Sequence, residues 1–579
     1  MNTKRTLLLS SSLLFSALVF AQHVDEGYFN DWDYGPHGVY GNLRLSKIKE
    51  RTFFSIEKDG AQKIIVRKFN PSGVVTNTAT VNFQNGTLSE VDQTDQWGQV
   101  YEYRHYLPKG ENVFQVTDLV RGRNISLPCK YSIHLYTNEL LTEVQNYSFT
   151  GQLMEDINGV AIIQYKRYDD PIRFAERIET AFFDAQHRPT ISKAAGYHKL
   201  VTHFDEHDNK TSESYFGVND EPVANAFGIY AIKGSYDEDN NWIKVEYYDS
   251  SDNKTYSVSG FAASKREYQQ GYLIKDTRLD TLGNPVRPLP SSDGVAMIVY
   301  EYDTAGNLIR EENFDQSGKP MNSQSGVHET ASFYSPGNLK TRTSYFDAFG
   351  NPCVNRDGIN TTIFVRDDKN RILQESNYRV DGKPIKTYTE RVYMLKAGYD
   401  KYGRVISTSY WADSNTRMQH WNGCYETTTK YDEDGQPVEY ATLDANGQPF
   451  IGEDGSSVTK LIRNADGRLA ERQFLHDDKL VNRTRGVTSQ YSIIKYGYDQ
   501  NGKINELTFW GADRNPVNAR VWIKDSVAAH RIVFIYRGPR IIEQDYYKID
   551  ASNPFQTIDC LKNDYISLSG IGTGRKNAN

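Results

Sequence analysis

The stretch Tyr302-Asp303-Thr304-Ala305-Gly306-Asn307-Leu308, then Phe314-Asp315-Gln316-Ser317-Gly318-Lys319-Pro320, then Gly326, decides the fold, because it recurs. The next copy reads Phe346-Asp347-Ala348-Phe349-Gly350-Asn351-Pro352 and Gly358. A period of about 32 residues marks a repeat architecture and outranks any single motif. Working outward, the register runs through Phe183-Asp184, Phe216-Gly217, Tyr248-Asp249, Leu279-Asp280, Trp411-Ala412, Leu443-Asp444 and Trp510-Gly511. Prolines from Pro189 to Pro516 follow at a matching place, and glycines from Gly196 to Gly486 close the units. Half a period away lies a second turn, seen at Tyr236-Asp237, Tyr302-Asp303, Tyr399-Asp400 and Tyr498-Asp499.

Asp accepts hydrogen bonds from the backbone ahead of it, and Gly or Asn supplies a positive φ, so Asp-x-x-Gly makes a tight reversal. Pro after the other turn fixes φ and withholds an N–H, which suits a strand start. Between turns lie about seven residues with partial alternation, the length and period of a strand. The expectation is an all-β chain: a long antiparallel meander of about 32-residue two-strand repeats, some twenty strands in all, too many to stay flat. Coiling or a superhelix follows.

The array spans 149–524 as about eleven units. Residues 22–148 lack the period but alternate turn dipeptides such as Asp59-Gly60, Asn85-Gly86 and Trp97-Gly98 with β-forming runs such as Ile64-Ile65-Val66. They are expected to form a separate β region that caps the array. Residues 525–579 look like a worn last copy around Ile535-Tyr536, a cap and a tail. At the other end, Lys4-Arg5, an apolar run from Leu7 to Phe20, and Val19-Phe20-Ala21 have the form of a secretory signal over 1–21. Export to the periplasm, cell surface or medium is expected, with no membrane-spanning segment.

The net charge of −7 gives no basic footprint for nucleic acid. Four cysteines, Cys129, Cys353, Cys424 and Cys560, are too sparse for a disulfide framework, and no pair has zinc-ligand spacing. Forty tyrosines suit strands, since Tyr can cover a half-buried face and keep its hydroxyl wet.

The Tyr-Asp-x-x-Gly turns resemble the YD repeats of RHS and teneurin-type proteins, over the repeat region only. The resemblance implies a secreted β-meander, which in bacterial members coils into a shell around a toxin. The unit here is longer than the usual YD unit. The family's Asp-Pro-x-Gly-Leu self-cleavage motif has no copy, since Asp170-Pro171 continues Ile172-Arg173.

Candidate chemistry is thin. Asp237-x-Asp239-x-Asn241 and Asp432-x-Asp434-Gly435 begin like calcium loops, but Trp242 stands where the first needs Gly and neither is followed by the bidentate Glu. They are expected to be turns. His198, His203 and His207 are not spaced to converge on a metal. There is no metalloprotease helix, serine elbow or phosphate loop; Gly570-Ile571-Gly572-Thr573-Gly574 reads as tail. Neighbouring acids such as Glu311-Glu312 nominate no glycosidase pair. No catalytic, cofactor-binding or metal residue is assigned. Trp411, Trp421, Trp510 and Trp522 could form a stacking ladder for sugars or a partner, but are expected to fill a covered face. The function expected is non-enzymatic: a binding or scaffold surface for a protein or cell-surface glycan. The alternatives are an RHS-like container for another polypeptide and, less favoured, a carbohydrate-active enzyme.

Overall fold

A computed structural model describes residues 23–559, apart from 46–47, 49, 119–130, 149–150, 157, 169–174, 290–292, 387–391, 433–434, 453–454, 465–467, 484–490, 500–503, 521–527, 538–539 and 555. The apolar stretch over 1–21, Cys129, Asp170-Pro171, Asp434, Gly486, Trp522, Cys560 and the glycine-rich stretch 570–574 lie outside them. Among the described residues there is no α-helix, and 37 strands join one sheet. The all-β antiparallel meander stands, and the sheet does not close into a barrel. None of the described helices is long and apolar enough to cross a membrane, there being none.

The central unit shows the construction. Met297–Tyr302 pairs antiparallel with Leu308–Phe314 through a hairpin whose register shifts at Glu301/Tyr302. Leu308–Phe314 then pairs with Glu329–Tyr334, the first strand of the next unit. The sequence led us to expect two turns per unit; the structure has three. All share one geometry. In the first, Asp303 N donates to Asn307 O (3.0 Å) and Gly306 N to Asp303 O (3.0 Å). In the second, Asp315 N reaches Lys319 O (2.9 Å) and Gly318 N reaches Asp315 O (3.1 Å). In the third, Ser323 N reaches Val327 O (2.8 Å) and Gly326 N reaches Ser323 O (3.0 Å). The third turn was missed because Ser stands where the others have Asp. The glycine taken as a unit terminator is its positive-φ residue.

Where Gly is absent from that position, Asp, Asn, His or Arg takes the positive φ, as at Asp208, Asn240, Asn338 and Arg514. The leading Asp carries most of the turn. Asp303 Oδ1 accepts from the Ala305 and Asn307 amides (both 2.9 Å), and Oδ2 accepts from the Asn307 side chain (2.8 Å). When the fifth residue is Arg, as in Asp367-Arg371 and Asp400-Arg404, the guanidinium takes the same oxygen.

The tyrosine hydroxyls correct the sequence expectation that they stay wet. In most units the Tyr before the first turn donates to a carbonyl of the preceding unit: Tyr236 to Lys210 O (3.0 Å), Tyr334 to Leu308 O (3.1 Å), Tyr399 to Ile372 O (2.9 Å), and Tyr498 to Leu469 O (2.7 Å). In the unit that carries Arg366 in place of Tyr, its Nε donates to Lys340 O (2.9 Å). The shift in each hairpin turns that carbonyl out of the ladder, and the next unit satisfies it. On the opposite edge the third turns join by backbone bonds: Val258 N to Phe227 O (3.1 Å), Leu289 N to Ser259 O (3.0 Å), and Gln324 N to Asp293 O (3.1 Å). These units are thus tied to their neighbours at both edges as well as through the strands.

The two larger hydrophobic cores sit at the two ends, and a small third cluster, Val392, Tyr410 and Cys424, lies within the array. Phe29, Ile56, Val81, Leu88, Tyr106 and Phe114 belong to one, confined to residues before 142. Phe474, Ile494, Leu507, Phe509, Ile532 and Tyr546 belong to the other. Between them, most strand residues of the array are half-buried on both faces. The N-terminal region is more than an end cap. Its strands continue into the array through Leu140–Tyr147 and Ile162–Tyr168. Its strand Gly27–Gly35 and two of its hairpin tips also lie along the row of first turns: Asn30 Nδ2 on His207 O (2.8 Å), Asn70 Nδ2 on Ala305 O (2.9 Å), and Trp97 Nε1 on Gly337 O (3.4 Å). Gly271 is required there, because a side chain on its positive-φ backbone would run into the Glu50 carbonyl and the Pro71 ring.

Candidate interaction surface

Strand alternation gives the array two faces. One carries the clasping tyrosines, with Tyr300 opposite Glu311 and Ile298 opposite Asn313. The other carries Val299 opposite Glu312 and Glu301 opposite Arg310. Glu311 and Glu312 therefore point to opposite sides and cannot work as a pair. Burial, then the charge of Asp293, raises the Glu311 carboxyl pKa.

The second face is laced with charges at repeating positions. Glu246 is shared by Lys244 and Lys254 (both 2.8 Å), Glu267 by Lys265 and Lys275 (both 3.7 Å), and Arg310 bridges Glu301 and Glu329 (both 3.1 Å). Further along, Lys430 meets Glu439 (2.7 Å). Such exposed pairs add well under ~1 kcal/mol each, but they keep the face wet. The hairpin Thr361–Arg366 with Ile372–Tyr378 carries no charge at these positions. At the positions of Lys233, Glu246, Ser235 and Lys244 it has Ile363, Ser376, Val365 and Gln374. Ile363 and Val365 are 39% and 47% exposed, where one side of a sheet normally alternates to polar residues. Phe333 (40%) lies one strand further on, across Arg342, which pairs with Ile363 on its other side. Leu373, at the register shift beside Val365, is exposed as well.

Two cations flank this window. The Arg342 guanidinium stacks on the Phe333 ring at 3.7 Å, and the Lys396 ammonium sits 3.7 Å over the Trp411 ring and donates to Ser414 O (3.0 Å). Neither has a carboxylate partner among the described residues. Exposed contiguous apolar groups rimmed by unneutralised charge are the usual make-up of a contact surface, whereas single exposed residues such as Leu282 and Phe349 at turn tips need no such account.

The residues singled out from sequence fall elsewhere. Asp237 spends its oxygens on Asp239 N (3.0 Å), Asn241 N (2.8 Å) and Asn241 Nδ2 (2.9 Å). His198 is buried, its Nδ1 on Phe182 O (2.7 Å) and its ring edge-on to Phe183, while His203 and His207 are exposed. His328 and His530 repeat that arrangement, with Nδ1 on Asn313 O (2.6 Å) and Phe509 O (2.9 Å). Cys353 and Cys424 are both free thiols. Lysines cover Trp411 and, at 4.0 Å, Trp510, so of the described tryptophans named above Trp421 alone is exposed and no stacking ladder forms. A cleft of ≈ 280 Å³ on the N-terminal sheet, lined by Trp32, Phe54, Lys68, Gln93 and Tyr101 among others, has no carboxylate in its wall. Sequence inspection passed over the window itself. Aligning the units by phase would have shown Ile363 and Val365 where a unit three steps earlier carries Lys265 and Glu267.

No protein-family description matches the chain, and no characterised protein matches it in sequence. Among solved structures it is similar to TcdB2-TccC3 without its hypervariable C-terminal region, at 11% identity, 86% of this chain, 31% of that one and a TM-score of 0.29. It is also similar to the Tc holotoxin pore of Photorhabdus luminescens, at 10% identity, 87% of this chain, 33% of that one and a TM-score of 0.20. A porin-like protein from Bacteroides uniformis is matched over 50% of this chain and 91% of its own, at 10% identity and a TM-score of 0.12. This chain spans about a third of the length of the two toxin assemblies' chains.

Proposed function

We propose that this protein is an exported, non-enzymatic β-repeat scaffold that binds a polypeptide partner through the window centred on Ile363 and Val365. The observation that supports it is that this hairpin exposes two β-branched side chains, Ile363 and Val365, with uncharged Ser376 and Gln374 opposite, between Arg342 and Lys396, which have no carboxylate partner among the described residues. A partner that fits presents an apolar side chain flanked by carboxylates, because covering the window would leave Arg342 and Lys396 in need of counter-charges. A polypeptide is favoured over a glycan because lysines occupy the aromatic faces a sugar would stack on.

The test is comparative. Residues 22–579 and the double variant Ile363→Glu/Val365→Glu are each used to capture proteins from the host's culture medium and envelope. A partner retained by the parent protein should be lost by the variant and kept by Lys265→Glu, a charge reversal at the phase of Ile363 three units earlier without a position in the window. Retention should weaken as salt rises. Equal retention by all three proteins would overturn the assignment.

A further inference from the structure

One side of the N-terminal strands Phe53–Lys58, Lys63–Phe69 and Val75–Gln84 gathers two rows of side chains. Register sets Lys68 between Phe54 and Asn77, and sets Val66 beside Ala79, which faces Gln93. Val66 and Ala79 are buried and make the floor of the ≈ 280 Å³ cleft. Trp32 and Phe54, on strands that pair with each other, line one side of it.

The other side is built by a register shift. Gln93 pairs with Glu102 and Thr94 with Val100, so Tyr101 is the extra residue of a bulge and reaches the face of Gln93. There it joins a chain of hydrogen bonds. Gln93 Nε2 donates to Glu102 (2.8 Å), Tyr101 OH donates to Gln93 Oε1 (2.9 Å), and Asn77 Nδ2 donates to Tyr101 OH (3.1 Å). A carboxylate only accepts, so Glu102 sets the direction of the chain and leaves Asn77 Oδ1 over as an acceptor. The Trp32 side is fixed as well: Asn30, two residues earlier, ties its strand to His207 O (2.8 Å) at the seam with the first turns.

The groups left over are complementary in kind. The Lys68 ammonium, 5.8 Å from the Phe54 ring, makes no ion pair among the described residues, and Asp31 acts on it only at longer range. Trp32 touches Tyr34 ring to ring at 5.8 Å and carries no cation, unlike Trp411 and Trp510. The geometry points to a binding site for a carboxylated sugar, with its ring on Trp32, its carboxylate on Lys68 and a hydroxyl donating to Asn77 Oδ1. The aromatic side takes the apolar face of a ring, the cation calls for an anion, and the amide calls for a hydroxyl, which a simple aromatic acid lacks. No carboxylate in the wall repels the anion. The volume lies at the small end of ligand pockets and suits one ring, so the site reads a terminal residue of an acidic glycan. It is separate from the window at Ile363 and Val365 and does not rest on that reading.

Saturation-transfer NMR and calorimetry on residues 22–579 test this with the methyl glycosides of glucuronate, galacturonate and N-acetylneuraminate. At least one should bind, and its neutral methyl ester should bind about tenfold or more weakly. Lys68→Met keeps the apolar stem and should abolish that discrimination by weakening the acid alone. Trp32→Leu should weaken acid and ester together; if it also disturbs the core, the exposed Lys68 still carries the test. Ile363→Glu/Val365→Glu should bind the sugar as the parent protein does, which keeps the two sites distinguishable. Binding of none of the three acids, equal binding of acid and ester, an unchanged Lys68→Met, or benzoate bound as tightly as the sugar would each rule the site out.

Discussion

The middle of the array and its two ends are built from the same strands and held by different forces. At the ends, large side chains are removed from water: Tyr106 and Phe114 in one core, Phe509 and Tyr546 in the other, are at most 2% exposed. In the middle, Tyr300, Tyr334 and Phe364 stay half-buried, and neighbouring units are joined by ladder bonds, turn aspartates, tyrosine clasps and edge ladders. Burial of apolar surface is cooperative across a cluster, whereas the middle is close to a chain of nearest-neighbour links. The ends therefore resist opening, and the middle can present both faces to solvent, which a binding surface needs.

The largest effect should come from an end core. Phe509→Ala, truncating a side chain with no exposed surface, should cost about 3–5 kcal/mol, read as a shifted urea midpoint. The same loss at Phe364 in the middle would break the contrast.

A smaller, local effect is expected from Tyr334→Phe, which removes only the hydroxyl bond to Leu308 O. About 1 kcal/mol should be lost, and amide exchange should rise in Leu308–Phe314 and Lys340–Phe346 without reaching the ends. A global loss of protection would show that the units are not coupled as near neighbours.

The smallest change per residue, summed over many turns, is a pH response. Asp249, Asp280, Asp315 and Asp347 have their pKa lowered, first of all by the backbone amides of Asn253, Asn284, Lys319 and Asn351. Groups depressed in the folded state contribute stability above their unfolded value near 3.8 and lose it as pH falls below that. Turn amides in the middle should lose protection below about pH 4, before the ends do. Simultaneous loss would mean that the end cores also depend on these carboxylates.

Much of this contrast is legible in the sequence. Asp-x-x-Gly and its spacing give the strands, the reversals and the meander, because a turn that satisfies its own backbone needs only five residues to declare itself. The third turn hides because Ser323 and Asn355 replace Asp at its head. The tyrosine clasps are invisible because a hydroxyl's partner, Leu308 O for Tyr334, is supplied by the fold of another unit. The N-terminal seam joins residues as far apart as Asn70 and Ala305, and no local pattern encodes that approach. The window at Ile363 and Val365 is legible in principle, but only after the repeat phase is known.

Photo-crosslinking tests the central claim most directly. A benzophenone amino acid is placed at position 363 in one protein and at 265, the same phase of the charged face, in another, and each is exposed to the host's envelope fraction. The account predicts one discrete polypeptide adduct from 363, suppressed by high salt, and none from 265. Equal labelling from both positions, or none from 363, would contradict it.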